Sequence, residues 1–185
     1  IYDRLVGSEM CIRDSRLLAE EQNSNPELEY LISNREMWFI PVVNPDGYAY
    51  NESIEPTGGG MHRKNRLNTN CGNGSNRGVD LNRNYGFGWG SNDIGSSPNP
   101  CSATYRGDVE FSEPETQAVR DFIINHDFNN VLHYHCYSNI YIHPWGNGSI
   151  PEEPDSSTLV DIGREMARYN GYPVGTGLSL SLIHI

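Results

Sequence analysis

Met37-Trp38-Phe39-Ile40-Pro41-Val42-Val43, followed at once by Asn44-Pro45-Asp46-Gly47, is the stretch on which the fold reading turns. Seven apolar residues in a row are of strand length. A continuous run, rather than an alternating one, fits a strand covered on both faces. The tetrapeptide after it carries strong turn chemistry, in which Pro45 presets φ and Gly47 accepts a positive φ. Working outward, residues 16–23 read as the tail of a helix, and Asn25-Pro26 opens a short helix over 27–32. Residues 51–100 read as one long irregular stretch, and ordered loops of that length usually carry function.

Beyond that stretch the pattern alternates. Ser112-Glu113-Pro114-Glu115 reads as a capping box, with Ser112 at the N-cap and Glu115 at N3, ahead of an apolar stripe of Ala118, Val119, Phe122 and Ile123. Residues 131–137 are predicted as a second strand and 139–143 as a third. Ser156 or Ser157 then caps a last helix, whose inner face is Leu159, Val160, Ile162, Met166 and Ala167. Strands and helices alternating in one chain predict an α/β fold with a mixed, mostly parallel buried sheet flanked by helices. Residues 1–15 (IYDRLVGSEMCIRDS) lack clean periodicity and 178–185 (LSLSLIHI) stop abruptly. Both resemble translated adapter sequence, so the domain proper is expected to be 16–177 and the ends non-native.

Charge narrows the function. The 185 residues carry a formal charge of −11, and the sequence pI near 4.8 argues against a nucleic-acid backbone as partner. Between residues 63 and 106 the sign reverses: Arg63, Lys64, Arg66, Arg77, Arg83 and Arg106 face only Asp80 and Asp93. Such a region either focuses a small anionic ligand or is a solvated loop face, and charge alone favours the second. No apolar run is long enough to span a membrane. Cys71 and Cys101 flank the Asn/Gly-rich segment and could staple it, which would imply an oxidising compartment. Cys136 reads as a small buried filler.

Three stretches look like parts of one site: His62-Arg63-Lys64-Asn65-Arg66, Asp80-Leu81-Asn82-Arg83-Asn84-Tyr85 and His133-Tyr134-His135-Cys136-Tyr137-Ser138. Guanidinium offers a planar fork of donors that matches a carboxylate and stays charged at any working pH, and Asn82 adds a neutral donor beside Arg83. The competing reading is that these arginines pair with Asp80 or Asp93 and tie down the loop. His133 and His135, two apart on a predicted strand, point to one face, where an imidazole suits zinc; read blandly, they are half-buried histidines bonded to neighbours.

In this order the pieces resemble the zinc carboxypeptidase family of carboxypeptidases A, B and T, over residues 16–177. The resemblance is carried by NPDG at 44–47, RKNR at 63–66, GVDLNRNYG at 78–86, CSATYRG at 101–107, SEPE at 112–115 and HCYS at 135–138. It implies a secreted, monomeric enzyme that uses one zinc ion to hydrolyse the C-terminal peptide bond of peptides or proteins bearing a free terminal carboxylate. It implies His135 as a zinc ligand and Arg66 as the group that polarises the scissile carbonyl. Asn82 and Arg83 would be the pair on the terminal carboxylate, with Arg63 and Tyr137 contacting substrate further in. Asp80 would be the carboxylate orienting a ligand histidine, and Cys71 and Cys101 would form a disulfide. The family's His-x-x-Glu ligand pair should fall near residues 1–4, where no such motif occurs, and its general-base glutamate should lie past residue 185. On that reading this chain is an inactive fragment that binds zinc weakly or not at all. The alternative is a carboxypeptidase-like binding module that keeps the anion pocket without metal chemistry.

Overall fold

The computed structural model describes residues 7–58, 60–135, 138–146 and 149–177. The backbone divides into two compact units, residues 1–136 and 137–185. The first contains α1 (Gly7–Glu21), α2 (Pro26–Asn34), α3 (Pro45–Ile54), a 3-10 turn at Leu81–Arg83 and α4 (Pro114–Ile124). The second contains β1 (Tyr141–Ile142), α5 (Asp155–Ala167) and β2 (Val174–Gly175).

The second unit sets the fold class. β1 and β2 pair in parallel, Tyr141 opposite Val174 and Ile142 opposite Gly175, with α5 as the crossover between them. Two parallel strands need such a crossover, so the unit is a small βαβ element and the fold is α/β. Gly163 lets α5 approach β2, because a Cβ there would lie 2.6 Å from Val174 Cγ1. Leu159, Val160, Met166 and Ala167 are half-buried as the periodicity predicts, while Ile162 is 41% exposed. The helix starts after Pro154 with no side-chain cap, not at Ser156 or Ser157, whose hydroxyl-bearing side chains belong inside its first turn.

Other expectations change in the first unit. Residues 37–43 form no strand and their large side chains are 37–51% exposed. A strand needs a ladder, and no segment among the described residues pairs with this one; Pro41 also lacks an N–H to give. Trp38 packs edge-on to Phe122 at 5.4 Å and to His126 at 5.2 Å. Residues 131–135 likewise form no strand, with Val131 and Leu132 about half exposed. Residues 7–15, which lack clean periodicity, lie inside α1.

Asn44-Pro45-Asp46-Gly47 opens a helix instead of closing a strand. Asn44 Oδ1 accepts the Gly47 N–H at 3.0 Å, and Pro45 fills the first helical position, where a missing N–H costs nothing. Gly47 is therefore present for space and not for positive φ. A Cβ on it would sit 2.7 Å from the Lys64 carbonyl oxygen, to which Asn44 Nδ2 donates at 3.0 Å. This contact locks the start of α3 onto the arginine-bearing segment. At α4, the cap falls at Glu113, and Ser112 Oγ donates instead to Glu113 Oε1 at 2.7 Å.

The interior of the first unit is polar. Among the described residues its buried apolar side chains are Val79, Leu81, Tyr105 and Val119, against buried His62, Lys64, Asn65, Asp80, Asn84, Glu113 and Thr116. Buried polar groups are tolerable when they are bonded. Asn84 is fully buried: its Oδ1 accepts from Thr116 Oγ1 at 2.7 Å and Glu113 N at 3.2 Å, and its Nδ2 donates to Arg106 O at 2.9 Å. Asn65 joins three segments, donating to Glu113 Oε2 at 2.6 Å and accepting the Val79 N–H at 2.8 Å.

Candidate substrate-binding site

The two basic motifs lie side by side because their backbones are bonded. The Asn65 N–H donates to Val79 O at 2.9 Å, and the Asp80 N–H donates to Tyr105 O at 2.8 Å. Gly78 makes the approach possible: its φ is +98°, and a Cβ on it would lie 1.9 Å from the Asn65 carbonyl oxygen. Between the arginines, Lys64 is 1% exposed and points inward, where its Nζ donates to Asn76 O at 2.7 Å and Ser102 O at 2.8 Å. That leaves Arg63 and Arg66 to face outward on either side.

Asp80 organises the second motif. Its Oδ1 accepts the Asn82 N–H at 3.2 Å and so starts the 3-10 turn that presents Asn82 and Arg83. Its Oδ2 lies 3.0 Å from Arg63 Nη2, close enough for ionic attraction but without the angle of a hydrogen bond, so this buried oxygen has unmet lone pairs. Burial pushes the Asp80 carboxyl above its ordinary value; the charges of Arg63 and Arg83, the Asn82 N–H and the Lys64 charge pull the other way. Arg63 is thus tied down by Asp80 and by Ala103 O at 3.1 Å, which is the competing reading for that residue. Asp93 pairs with Arg106 at 2.7 Å, not with a motif arginine.

Asn82 is exposed and Arg83 half-buried. The Arg83 guanidinium donates to Gly95 O at 2.6 Å and Asn82 O at 3.0 Å, two neutral carbonyls that orient it without cancelling its charge. Both residues line an open hollow of about 190 Å³ with Tyr85, Phe87, Trp89 and Ser96. Arg66 lies on a second hollow, with Asp46, Asn65, Leu67, Glu113 and Glu115. Arg63 and Arg83 act on Asp80 through their charges, and Arg66 lines the second hollow. Arg66 donates to Asn73 O at 2.7 Å and Gly74 O at 3.1 Å, inside the loop that the Cys71–Cys101 disulfide closes. Closing a loop of 30 residues restricts the unfolded chain by about 3–4 kcal/mol.

His135 keeps an exposed edge, yet protein packed around its ring holds the imidazole below its ordinary pKa, helped by the charges of His133 and Arg83. An imidazole held neutral is the form that binds a metal. Among the described residues, however, no three His, Cys, Asp or Glu side chains gather into a metal site. The unmet Asp80 Oδ2 is suited to receive an imidazole N–H, but no described histidine donates to it. The described residues alone do not fit a zinc ion. Tyr137 and Cys136 lie outside the described residues. The sequence assigns no role to Tyr50, whose ring stacks on Arg66, or to the buried ring of His62; with 44–47 read as a turn, nothing places Tyr50 near the arginine segment.

The fold matches solved carboxypeptidases. The carboxypeptidase A of Helicoverpa armigera superposes with a TM-score of 0.68 at 29% identity, over 92% of this chain and 42% of that one. By sequence the chain belongs to the zinc carboxypeptidase family, whose profile matches residues 4–176. It is 36% identical over 133 residues to carboxypeptidase B of Astacus astacus, covering 70% of this chain and 42% of that protein. It is also 29% identical over 160 residues to the inactive metallocarboxypeptidase ecm14 of Sclerotinia sclerotiorum, covering 82% of this chain and 25% of that protein. The chain thus spans about two fifths or less of the curated relatives it matches.

Proposed function

We propose that this chain carries the substrate-gripping part of a secreted, monomeric zinc metallocarboxypeptidase that removes the C-terminal residue of peptides and proteins. The observation that carries the reading is the 3-10 turn pinned by buried Asp80, which presents Asn82 and Arg83 from an otherwise acidic protein. A guanidinium held by neutral carbonyls keeps its charge available to a ligand carboxylate, and the Asn82 amide adds a donor at the same end. Arg63 and Tyr137 contact the substrate further from its terminus. Arg66 sets positive charge where the scissile carbonyl oxygen becomes negative. Asp80 orients a ligand histidine through its unmet Oδ2. Zinc, in the intact protein, is held by His135 together with ligands outside the described residues; this chain alone binds it weakly or not at all and is inactive. The disulfide supports an oxidising, extracellular setting.

In the intact protein, Arg83→Ala should raise KM for a free-acid peptide about a hundredfold, the value of a lost charge-assisted bidentate contact. Equal turnover of the free-acid peptide and its C-terminal amide by the parent protein would contradict the exopeptidase role. The likeness to the inactive metallocarboxypeptidase ecm14 of Sclerotinia sclerotiorum supports a second reading, a non-catalytic module that keeps the anion pocket. Zinc content of the intact protein after dialysis separates the two: one ion per chain supports the enzyme, none the module.

A further inference from the structure

Arg66 has an unusual seat. Its guanidinium carbon lies 3.7 Å from the ring centroid of Tyr50 on α3, a stacked contact. Its edge is held by the carbonyls of Asn73 and Gly74, and although Asp46, Glu113 and Glu115 line the same hollow, none lies within ion-pairing distance of it among the described residues. The Tyr50 ring is itself braced. His62, 7% exposed, packs edge-on against it at 4.9 Å, and Asn51, the next residue of α3, clasps the His62 backbone through both its N–H (3.0 Å) and its carbonyl (2.8 Å). The His62 Nε2 lies 3.5 Å from Arg66 Nη1, and its Nδ1 is buried without a partner.

We propose that Tyr50 is a positioning residue for Arg66, with His62 bracing its ring, so that the guanidinium is aimed by a π face and neutral carbonyls instead of by a counter-ion. The reasoning is electrostatic. A carboxylate would hold Arg66 as firmly but would cancel much of the field that a developing oxyanion must feel, whereas an aromatic face orients the cation and leaves its charge in place. This inference rests on the reading of Arg66 as the carbonyl-polarising group. On this reading Tyr50 acts through Arg66 alone, so its effect should fall on turnover and not on ground-state binding.

The test is steady-state kinetics of the intact protein on a free-acid peptide, with Arg66→Met measured beside Tyr50→Leu and Tyr50→Phe. Tyr50→Leu should lower kcat about tenfold with KM within twofold, and Tyr50→Phe should recover most of that loss because the ring face remains. Fluorinated phenylalanines at position 50 keep size and fold while draining the π face, so kcat should fall as fluorines are added; this series serves if the leucine variant does not fold. A kcat indifferent to fluorination, in a protein where Arg66→Met is crippled, would overturn the positioning role. An Arg66→Met variant with unchanged kcat would instead overturn the role given to Arg66.

Discussion

Replacing Lys64 by Met isolates the buried ammonium from its stem, since the two side chains are similar in length and the methionine keeps the apolar packing. In the native protein Nζ donates to Asn76 O at 2.7 Å and Ser102 O at 2.8 Å, with a longer approach to Pro100 O at 3.4 Å and the Tyr105 ring 5.7 Å away. Each well-made acceptor left without a donor costs about 1–3 kcal/mol when fully buried, and these bonds are part-buried, so two of them come to roughly 2–4 kcal/mol. Relief runs the other way, because burial already pushes the Lys64 pKa down and the ammonium's desolvation disappears with it. The net loss should be about 1–3 kcal/mol. Urea unfolding of the intact protein, followed by tryptophan fluorescence, should show the midpoint falling by roughly 0.5–1.5 M at unchanged slope. A shift below about 0.2 M would mean that water replaces the ammonium at these carbonyls and that Lys64 is not the clamp described.

Gly78→Ala should be more damaging, by about 3 kcal/mol or more, because the new Cβ meets the Asn65 carbonyl oxygen at 1.9 Å and φ is +98°; thermal melting that matched the parent would show that the two segments separate freely. His62, buried and flanked by the charges of Arg66 and Lys64, has its pKa lowered below the ordinary 6.5, with burial the larger cause. The unfolded chain then binds the extra proton first, so the stability His62 contributes is intact above about pH 7 and is lost as pH falls through and below 6.5. His62→Phe should flatten that part of the stability–pH curve, and an unaltered slope would contradict it. Exposed apolar side chains at 37–43 and 131–132 predict that this chain, expressed by itself, binds a hydrophobic dye such as ANS at neutral pH; no dye fluorescence would contradict their exposure.

Helices were legible in proportion to their caps. Asn25-Pro26 gave α2 because the Asn25 side chain does accept the Glu27 N–H, at 3.0 Å. Asn44-Pro45 has the same chemistry, but the following Gly47 suggests a turn; the glycine is required by the carbonyl of Lys64, far along the sequence, which no local pattern reveals. Ser112 was misplaced for a similar reason, since its hydroxyl serves Glu113 and receives Asn84 Nδ2 at 2.9 Å. Strands fared worse: an apolar run states that a segment wants cover, and the ladder that would supply it is a property of other segments. At the site, residue types were readable, but partners were not. Which of Arg63, Arg66 and Arg83 would be spent on a carboxylate depended on Asp80 reaching Arg63, and the seat of Arg66 depended on a tyrosine from a different element.

The central claim is that Asn82 and Arg83 recognise a terminal carboxylate, and ground-state binding tests it without any dependence on metal. Calorimetric titration of the intact, chelator-treated protein with a short peptide and with its C-terminal amide should give at least tenfold tighter binding of the free acid, with the difference abolished in Arg83→Ala. Equal affinity for acid and amide in the parent protein would contradict the account.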